Sequence, residues 1–382
     1  MRVLVVNAGS SSLKLRLLDE HDTLEHSADL PAGPDGFNTG RLAGILHGWG
    51  EPDVVGHRIV HGGTSFTGPV RINDAVREQL QALTDLAPLH QPKSLAALDA
   101  LTAQLPHIAA VASFDTAFHT TIPAAAATYA VPLEWRHRYA IRRYGFHGLS
   151  HAYCSHRAAH LLDRPLEGLR IITCHLGAGA SLAAVLDGRS VDTTMGFTPL
   201  EGLVMATRSG TIDPGLVLWL EEHEHLAPHE VATALEQRSG LTALAGTGDM
   251  RDVEAAAARG DPAAVLAIDV YTHRLVGGIA AMSAATGGVD VLVFTGGVGE
   301  HSATVRRRAV ERLGFLGVAI DNHRNDTVHD DGDITATGAT VRTLVITARE
   351  DLQIAREARQ LLGTELSPEP VSGKIHPWRS SR

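Results

Sequence analysis

Two stretches of this chain share one design: an apolar run, a polar turn of small residues, and a second apolar run. The first reads Val3-Leu-Val-Val-Asn7-Ala-Gly9-Ser10-Ser11-Ser12-Leu-Lys14-Leu-Arg-Leu-Leu-Asp19. The second reads Ile171-Ile-Thr-Cys-His175-Leu-Gly177-Ala-Gly179-Ala-Ser181-Leu-Ala-Ala-Val-Leu-Asp187. Each pattern predicts strand, tight turn, strand. One offset of 168 residues superposes Gly9 on Gly177 and Asp19 on Asp187. Either hairpin alone would pass as an ordinary one; the shared offset makes them an internal repeat and predicts two related halves. Small residues in the turns let backbone N–H groups converge on an anion, so the repeat also points to phosphate.

Between and beyond the hairpins, strand and helix patterns follow one another, as in an α/β protein. Residues 31–40 (PAGPDGFNTG) read as an exposed loop, and 54–60 as a buried strand leading into His61-Gly-Gly63. Helical spacing over 74–86 is broken at 87–92. Ser94 is then expected to cap a helix with Leu95, Leu98 and Leu101 on one face. Residues 109–114 form another strand, ending at Asp115. The run 142–151 leads into the second half, and 195–215 is rich in Gly, Pro and Thr without a clear period. Helices are expected over 215–236 and 261–285. A buried strand over 289–294 runs into Thr295-Gly-Gly-Val-Gly-Glu300, and a helix from near Ser302 carries Arg306, Arg307 and Arg308. Residues 366–382 are Pro/Ser-rich and should fray.

At 382 residues the chain has room for about two domains. Its 43 acidic against 33 basic residues give a net charge of −10, so no basic field invites nucleic acid and an anionic substrate must meet local positive charge. Cys154 and Cys174 are too few for a disulfide framework, neither has a neighbouring ligand at zinc spacing, and both read as small buried thiols. The N-terminal apolar run is too short for a signal peptide. The apolar stretch 275–294 is interrupted by Gly277, Gly278, Gly287, Gly288 and Asp290, so no membrane span is expected and the location read is cytoplasmic.

Phosphoryl transfer needs donors for phosphate, oxygen ligands for a divalent cation, and positive charge where the transition state is anionic. Asn7 ends a strand beside the Gly-Ser-Ser-Ser turn, where its amide oxygen can face a metal or water. Lys14, one of three lysines with Lys93 and Lys374, stands on the return strand in a chain that otherwise uses arginine. A point-charge ammonium suits polyphosphate, although an exposed edge-strand lysine is the plain alternative. Arg58 lies in a strand-like run and Arg208 in Met205-Ala-Thr-Arg-Ser-Gly210; each wants an anion, either a substrate or a partner such as Asp53, Asp213 or Glu201. His147 and His175 are two of 22 histidines, and on numbers alone either reads as surface or structural rather than functional.

Six motifs in order resemble the acetate kinase family: Asn7-Ala-Gly-Ser-Ser-Ser-Leu-Lys14, Gly56-His-Arg-Ile-Val-His-Gly-Gly63, Phe114-Asp-Thr-Ala-Phe-His119, Arg143-Tyr-Gly-Phe-His-Gly148, Met205-Ala-Thr-Arg-Ser-Gly210 and Phe294-Thr-Gly-Gly-Val-Gly-Glu300. The resemblance runs from residue 1 to about 360. It implies an actin-like (ribonuclease H-like) α/β fold of two domains of similar topology with the nucleotide in the cleft between them. The expected division is 1–117 plus about 353–382 for the N-terminal domain and about 118–352 for the C-terminal one. It further implies a homodimer and Mg²⁺-dependent (or Mn²⁺-dependent), in-line transfer of the ATP γ-phosphoryl group to acetate or another short carboxylate such as propionate, leaving ADP.

By the same resemblance Asn7 and Glu350 would hold the metal, and Lys14 with the turn hydroxyls Ser10 and Ser12 would meet the phosphates. Arg58 would bind the carboxylate, with Val60, Leu89, Phe146 and Pro199 around its methyl group. Arg208 and His147 would stabilise the transferring group, and Asp115 would be the essential carboxylate, read here as a positioning or metal-linked group. His175, Leu176, Gly177, Ala178 and Gly179, then Asp249, Met250 and Arg251, then Gly296, Gly297, Val298, Gly299 and Glu300 would contact the nucleotide. Three positions depart from the family pattern: Ala178 and His301 each replace an asparagine, and Arg349-Glu350-Asp351-Leu352 replaces Asn-Glu-Glu-Leu. Two further readings stand beside the kinase: an actin-like chaperone or filament ATPase without a carboxylate substrate, and a weakened nucleotide-binding regulator.

Overall fold

Two sheets organise the protein, and their central strands follow the same path. The structure, a computed structural model, describes residues 1–9, 12–33, 36–87 and 91–366. Ser10, Leu89 and the tail from 367 onward therefore lie outside the described residues. The first sheet contains β1 (Val3–Ala8), β2 (Ser12–Leu18), β3 (Leu24–Gly33), β4 (Gly36–Phe37), β5 (Val54–Ile59), β6 (Val70–Arg71) and β7 (Ala109–Phe114), in the order β4-β3-β2-β1-β5-β7-β6. The second contains β8 (Arg170–Leu176), β9 (Ala180–Leu186), β10 (Arg189–Thr193), β11 (Val291–Thr295), β12 (Gly332–Asp333) and β13 (Arg342–Val345), in the order β10-β9-β8-β11-β13-β12. In both, a three-strand antiparallel meander is joined through its first strand to two parallel strands.

Parallel strands covered on both faces should be largely apolar, and these are, with their polar residues such as Arg58 and His175 toward the carboxyl ends. On the first sheet Leu4, Val6, Leu13, Leu15 and Leu17 pack with Leu42 and Leu101 from the helices Thr39–Trp49 and Gln91–Gln104. Val3, Val5, Val54 and Val111 pack the other face against Ile354, Ala355 and Ala358 of the helix Glu350–Leu366. Gly56 permits that approach, since a Cβ there would stand 2.6 Å from an Ile354 methyl carbon. The second sheet is sandwiched likewise between Pro262–Ala285 and Gly148–Leu161. Pro262–Ala285 is, among the described residues, the one helix long and apolar enough to cross a membrane. Its Ile268, Leu275 and Ile279 are core residues here.

Three local expectations need correction. Much of 31–40 is not loop: it extends β3, forms β4 and starts the helix at Thr39, capped by Asn38, because backbone pairing outcompetes the Gly/Pro turn signal. Ser94 is buried within its helix, which begins at Gln91, with Pro92 in the first turn where its missing N–H costs nothing. The expected 215–236 helix is two, Pro214–His223 and Pro228–Gln237, since Pro228 begins a new one.

The repeat also needs a refinement. Asn7 pairs with Lys14 in the first hairpin, whereas His175 pairs with Ser181 in the second, one residue short of the 168 offset. The second turn is one residue tighter, so Ser181, not Leu182, holds the place that Lys14 has in the first.

Candidate active site

A cavity of about 400 Å³ lies where the carboxyl ends of the central strands of both sheets meet, the usual place for ligands in open α/β sheets. It gathers Asn7, Ser12, Lys14, Arg58, Asp115, His147, His175, Arg208 and Glu350 with the apolar Val60, Phe146 and Pro199, and the small Ala178 and Gly179. These fourteen, far apart in sequence, are among the residues expected there.

Arg58, near the end of β5, and Asp115, just past the end of β7, are brought side by side by parallel pairing. Arg58 Nε and Nη2 donate to the two Asp115 carboxylate oxygens at 2.9 and 2.6 Å, and Nη1 donates to Asn7 Oδ1 at 3.1 Å. Glu350, the first residue of its helix, stands 3.7 Å from Arg58 Nε and accepts from Asn7 Nδ2 at 3.2 Å. The sequence-level partners for Arg58 were wrong: Asp53 accepts from the Arg2 backbone, Asp213 caps a helix, and Glu201 holds Arg143. Burial opposes the Arg58 charge, but Asp115 and Glu350 outweigh it and raise its pKa. Burial likewise pushes the Asp115 carboxyl up, against the pull of Arg58. A guanidinium offers five N–H donors, so this fork leaves two for a ligand.

His147 has left-handed backbone (φ 56°) and precedes the helix Gly148–Leu161. Non-glycine residues held this way cluster at functional sites. Gly148 N–H donates to the Asp115 carbonyl at 2.8 Å, and a Cβ at 148 would sit 2.2 Å from that oxygen, so glycine is required. A Cβ on Gly179 would lie 3.2 Å from His147 Nε2 and 3.4 Å from Arg208 Nη2, which shows both groups converging on the second turn. The His147 and His175 rings stack at 4.3 Å. Burial, and then the neighbouring His175, hold His147 far below the usual histidine range; burial and Arg58 lower His175 to about 4. Both enter the cleft as neutral imidazoles. Arg208 has its Nη1 on the Pro199 carbonyl at 2.8 Å, and burial lowers its pKa with only Glu236 opposing.

A second cavity, about 510 Å³, adjoins the first through Ala178 and is lined by Gly177, Asp249, Met250, Arg251, Gly297 and Val298, all expected at a nucleotide. Leu241, Gly248, Glu254 and Ser302 join them with no sequence signal that marks them; His301 stands there too. Gly296 has a positive φ of 76°, and a Cβ there would meet the Leu176 carbonyl at 2.8 Å, so both backbone and space favour glycine. Leu176 itself is core, Gly299 is buried, and Glu300 is used internally, accepting from Gly296 N–H at 2.8 Å and Ala348 N–H at 2.9 Å. The glycine turn winds into the short helix Gly296–His301, and the buried Arg306 donates to its Gly299 and Glu300 carbonyls at 2.9 and 2.7 Å, steadying its end.

Among the described residues no group of three His, Cys, Asp or Glu side chains could hold a metal. Asn7 and Glu350 supply one amide and one carboxylate beside the first turn. That sparse all-oxygen set fits Mg²⁺, which keeps water and substrate phosphates as its other ligands.

Residues 43–356 match the model of the Acetokinase family. A protein from Clavibacter sepedonicus named acetate kinase is 45% identical over 94% of this chain and 99% of its own. The crystal structure of Porphyromonas gingivalis acetate kinase superposes with a TM-score of 0.87 at 35% identity, over 94% of this chain and 99% of that one. A propionate kinase structure from Francisella tularensis subsp. tularensis gives 0.87 at 36% identity, over 93% and 98%.

Proposed function

The chain belongs to the acetokinase family, with its two-domain actin-like fold, and on that premise we propose that it reversibly transfers the γ-phosphoryl group of ATP to acetate. The observation that carries this reading is one cavity holding two arginines, a lysine and two neutral histidines against an apolar wall of Val60, Phe146 and Pro199. Propionate is the second acid this wall would admit, since one methylene changes selectivity by only about 1–3 kcal/mol.

A carboxylate is ionised at neutral pH and needs no base, so catalysis rests on bringing two anions into line and neutralising the oxygens between them. In this reading the two spare donors of Arg58 bind the carboxylate while Asp115 holds the guanidinium in position. Arg208 Nη2 and His147 Nε2 meet the transferring phosphoryl group, and Lys14 and Ser12 meet the phosphates. Asn7 and Glu350 would hold Mg²⁺, which when bound offsets charge on the phosphates. The nucleotide lies along Gly177, Asp249 to Arg251 and Gly297 to Val298. Residues 1–117 with the chain from about 353 form one domain and about 118–352 the other, a division supported by the packing of Glu350–Leu366 on the first sheet. A homodimer and a cytoplasmic location belong to the same reading. The exposed Leu216, Leu218 and Trp219 offer an apolar surface for the dimer.

The deciding experiment is a hydroxamate assay with Mg·ATP and acetate, propionate or butyrate beside an acid-free ATPase control. Acid-dependent acyl phosphate is expected. ATP hydrolysis indifferent to acid would favour an actin-like ATPase, and silence in both a nucleotide-binding regulator.

A further inference from the structure

Behind His147 runs an unbroken line of hydrogen bonds that the reaction itself does not touch. His147 Nδ1 is 2.9 Å from Ser181 Oγ; the same oxygen is 2.8 Å from His151 Nε2; His151 Nδ1 is 2.7 Å from Thr173 Oγ1. Ser181, His151 and Thr173 are all fully buried. A buried polar group needs a partner, so protons along this line must be ordered rather than random.

Counting donors leaves two orders. A neutral imidazole has one donor and one acceptor nitrogen, and a hydroxyl has one proton. If Ser181 donates to His147 Nδ1, it accepts from His151 Nε2–H, and Thr173 donates to His151 Nδ1. His147 then carries its proton on Nε2. If every bond reverses, His147 Nε2 becomes a bare lone pair facing the cleft. Ser181 has a single proton, so it cannot donate both ways; accepting from both rings would leave that buried proton without a partner, so the line switches as a unit. Lys14, Arg58 and Arg208 surround the cleft and invite anions, and an anion near His147 favours the first order. Ser150 gives His175 the same support, its Oγ 2.8 Å from His175 Nδ1.

We propose that Thr173, His151 and Ser181 are positioning residues that fix His147 as the Nε2–H tautomer, so that it faces the transferring phosphoryl group as a neutral hydrogen-bond donor. This rests on the phosphoryl-transfer reading for what His147 donates to, but not for the relay itself. The internal repeat accounts for its origin: Ser181 holds, opposite His175, the place Lys14 holds opposite Asn7. In one half that strand position carries a charge into the cleft; in the other it carries a hydroxyl that orients a neighbour.

The test is histidine ¹⁵N spectroscopy of the full chain at neutral pH, together with steady-state kinetics, on wild type, Ser181→Ala and Thr173→Val. Wild type should show His147 protonated on Nε2. Ser181→Ala should mix the tautomers and lower kcat about 10- to 100-fold, the cost seen when a metal-bound imidazole loses its orienting partner, with KM for acid and nucleotide held. Thr173→Val keeps the side-chain shape, guards against misfolding, and should move tautomer and kcat the same way by less. Thr173→Ser should restore both. A wild-type His147 protonated on Nδ1, or variants with wild-type tautomer and kcat, would overturn the relay. A wild type that is silent with every acid but shows the Nε2–H tautomer would overturn the kinase reading and leave the relay standing.

Discussion

Arg58, on β5, donates two parallel hydrogen bonds at 2.9 and 2.6 Å to Asp115, just past the end of the neighbouring parallel strand β7. Asp115→Asn would keep the shape and remove the charge that holds the guanidinium. Breaking one partner of a buried ion pair costs about 3–5 kcal/mol. Urea unfolding should register that loss, and turnover should fall by about 100-fold or more if Arg58 is the cation that binds the carboxylate, because it is then misdirected. Near-normal turnover in Asp115→Asn would remove the role assigned to this charge.

Val60 lines the cavity beside Phe146 and is almost fully buried. Val60→Ala opens room for about two methyl groups. The ratio of kcat/KM for propionate over acetate should rise by about tenfold, within the range a methylene commands. An unchanged ratio would place the acyl group elsewhere.

Ala178 is exposed and lines both the 400 Å³ and the 510 Å³ cavities. Its carbonyl is tied to Ala206 N–H at 3.1 Å, so the turn is held without help from its side chain. Ala178→Asn adds an amide able to donate to phosphate, worth about 1 kcal/mol. Titration with ADP should show severalfold tighter binding and unchanged affinity for acetate; weaker binding would mean that the larger side chain blocks the passage.

His57, His61, His119 and His175 are each lowered to about 4 by burial. Between about 4 and the ordinary value of 6.5 the unfolded chain binds more protons than the folded one. Stability should therefore be full above pH 6.5 and fall as the pH drops toward 4, each such histidine contributing up to about 1.4 kcal/mol per pH unit. Urea midpoints at pH 7.5, 6 and 5 should decline with increasing steepness. A flat series would mean that these rings are solvated.

The hairpins, their turns of small residues and the α/β class were written in the chain, because strand alternation and glycine turns are local signals and a repeat is visible as a number. Motif order carried the family and most of the residues now found in one cavity. What the chain alone left open was pairing. Arg58 had several candidate partners in sequence, and only the parallel register of β5 and β7 selects Asp115. The one-residue tightening of the second turn, invisible to a fixed offset, puts Ser181 under His147. Protonation followed the same rule: residue type makes a histidine able to titrate, but burial, which depends on the packing of both sheets and their helices, keeps these histidines neutral.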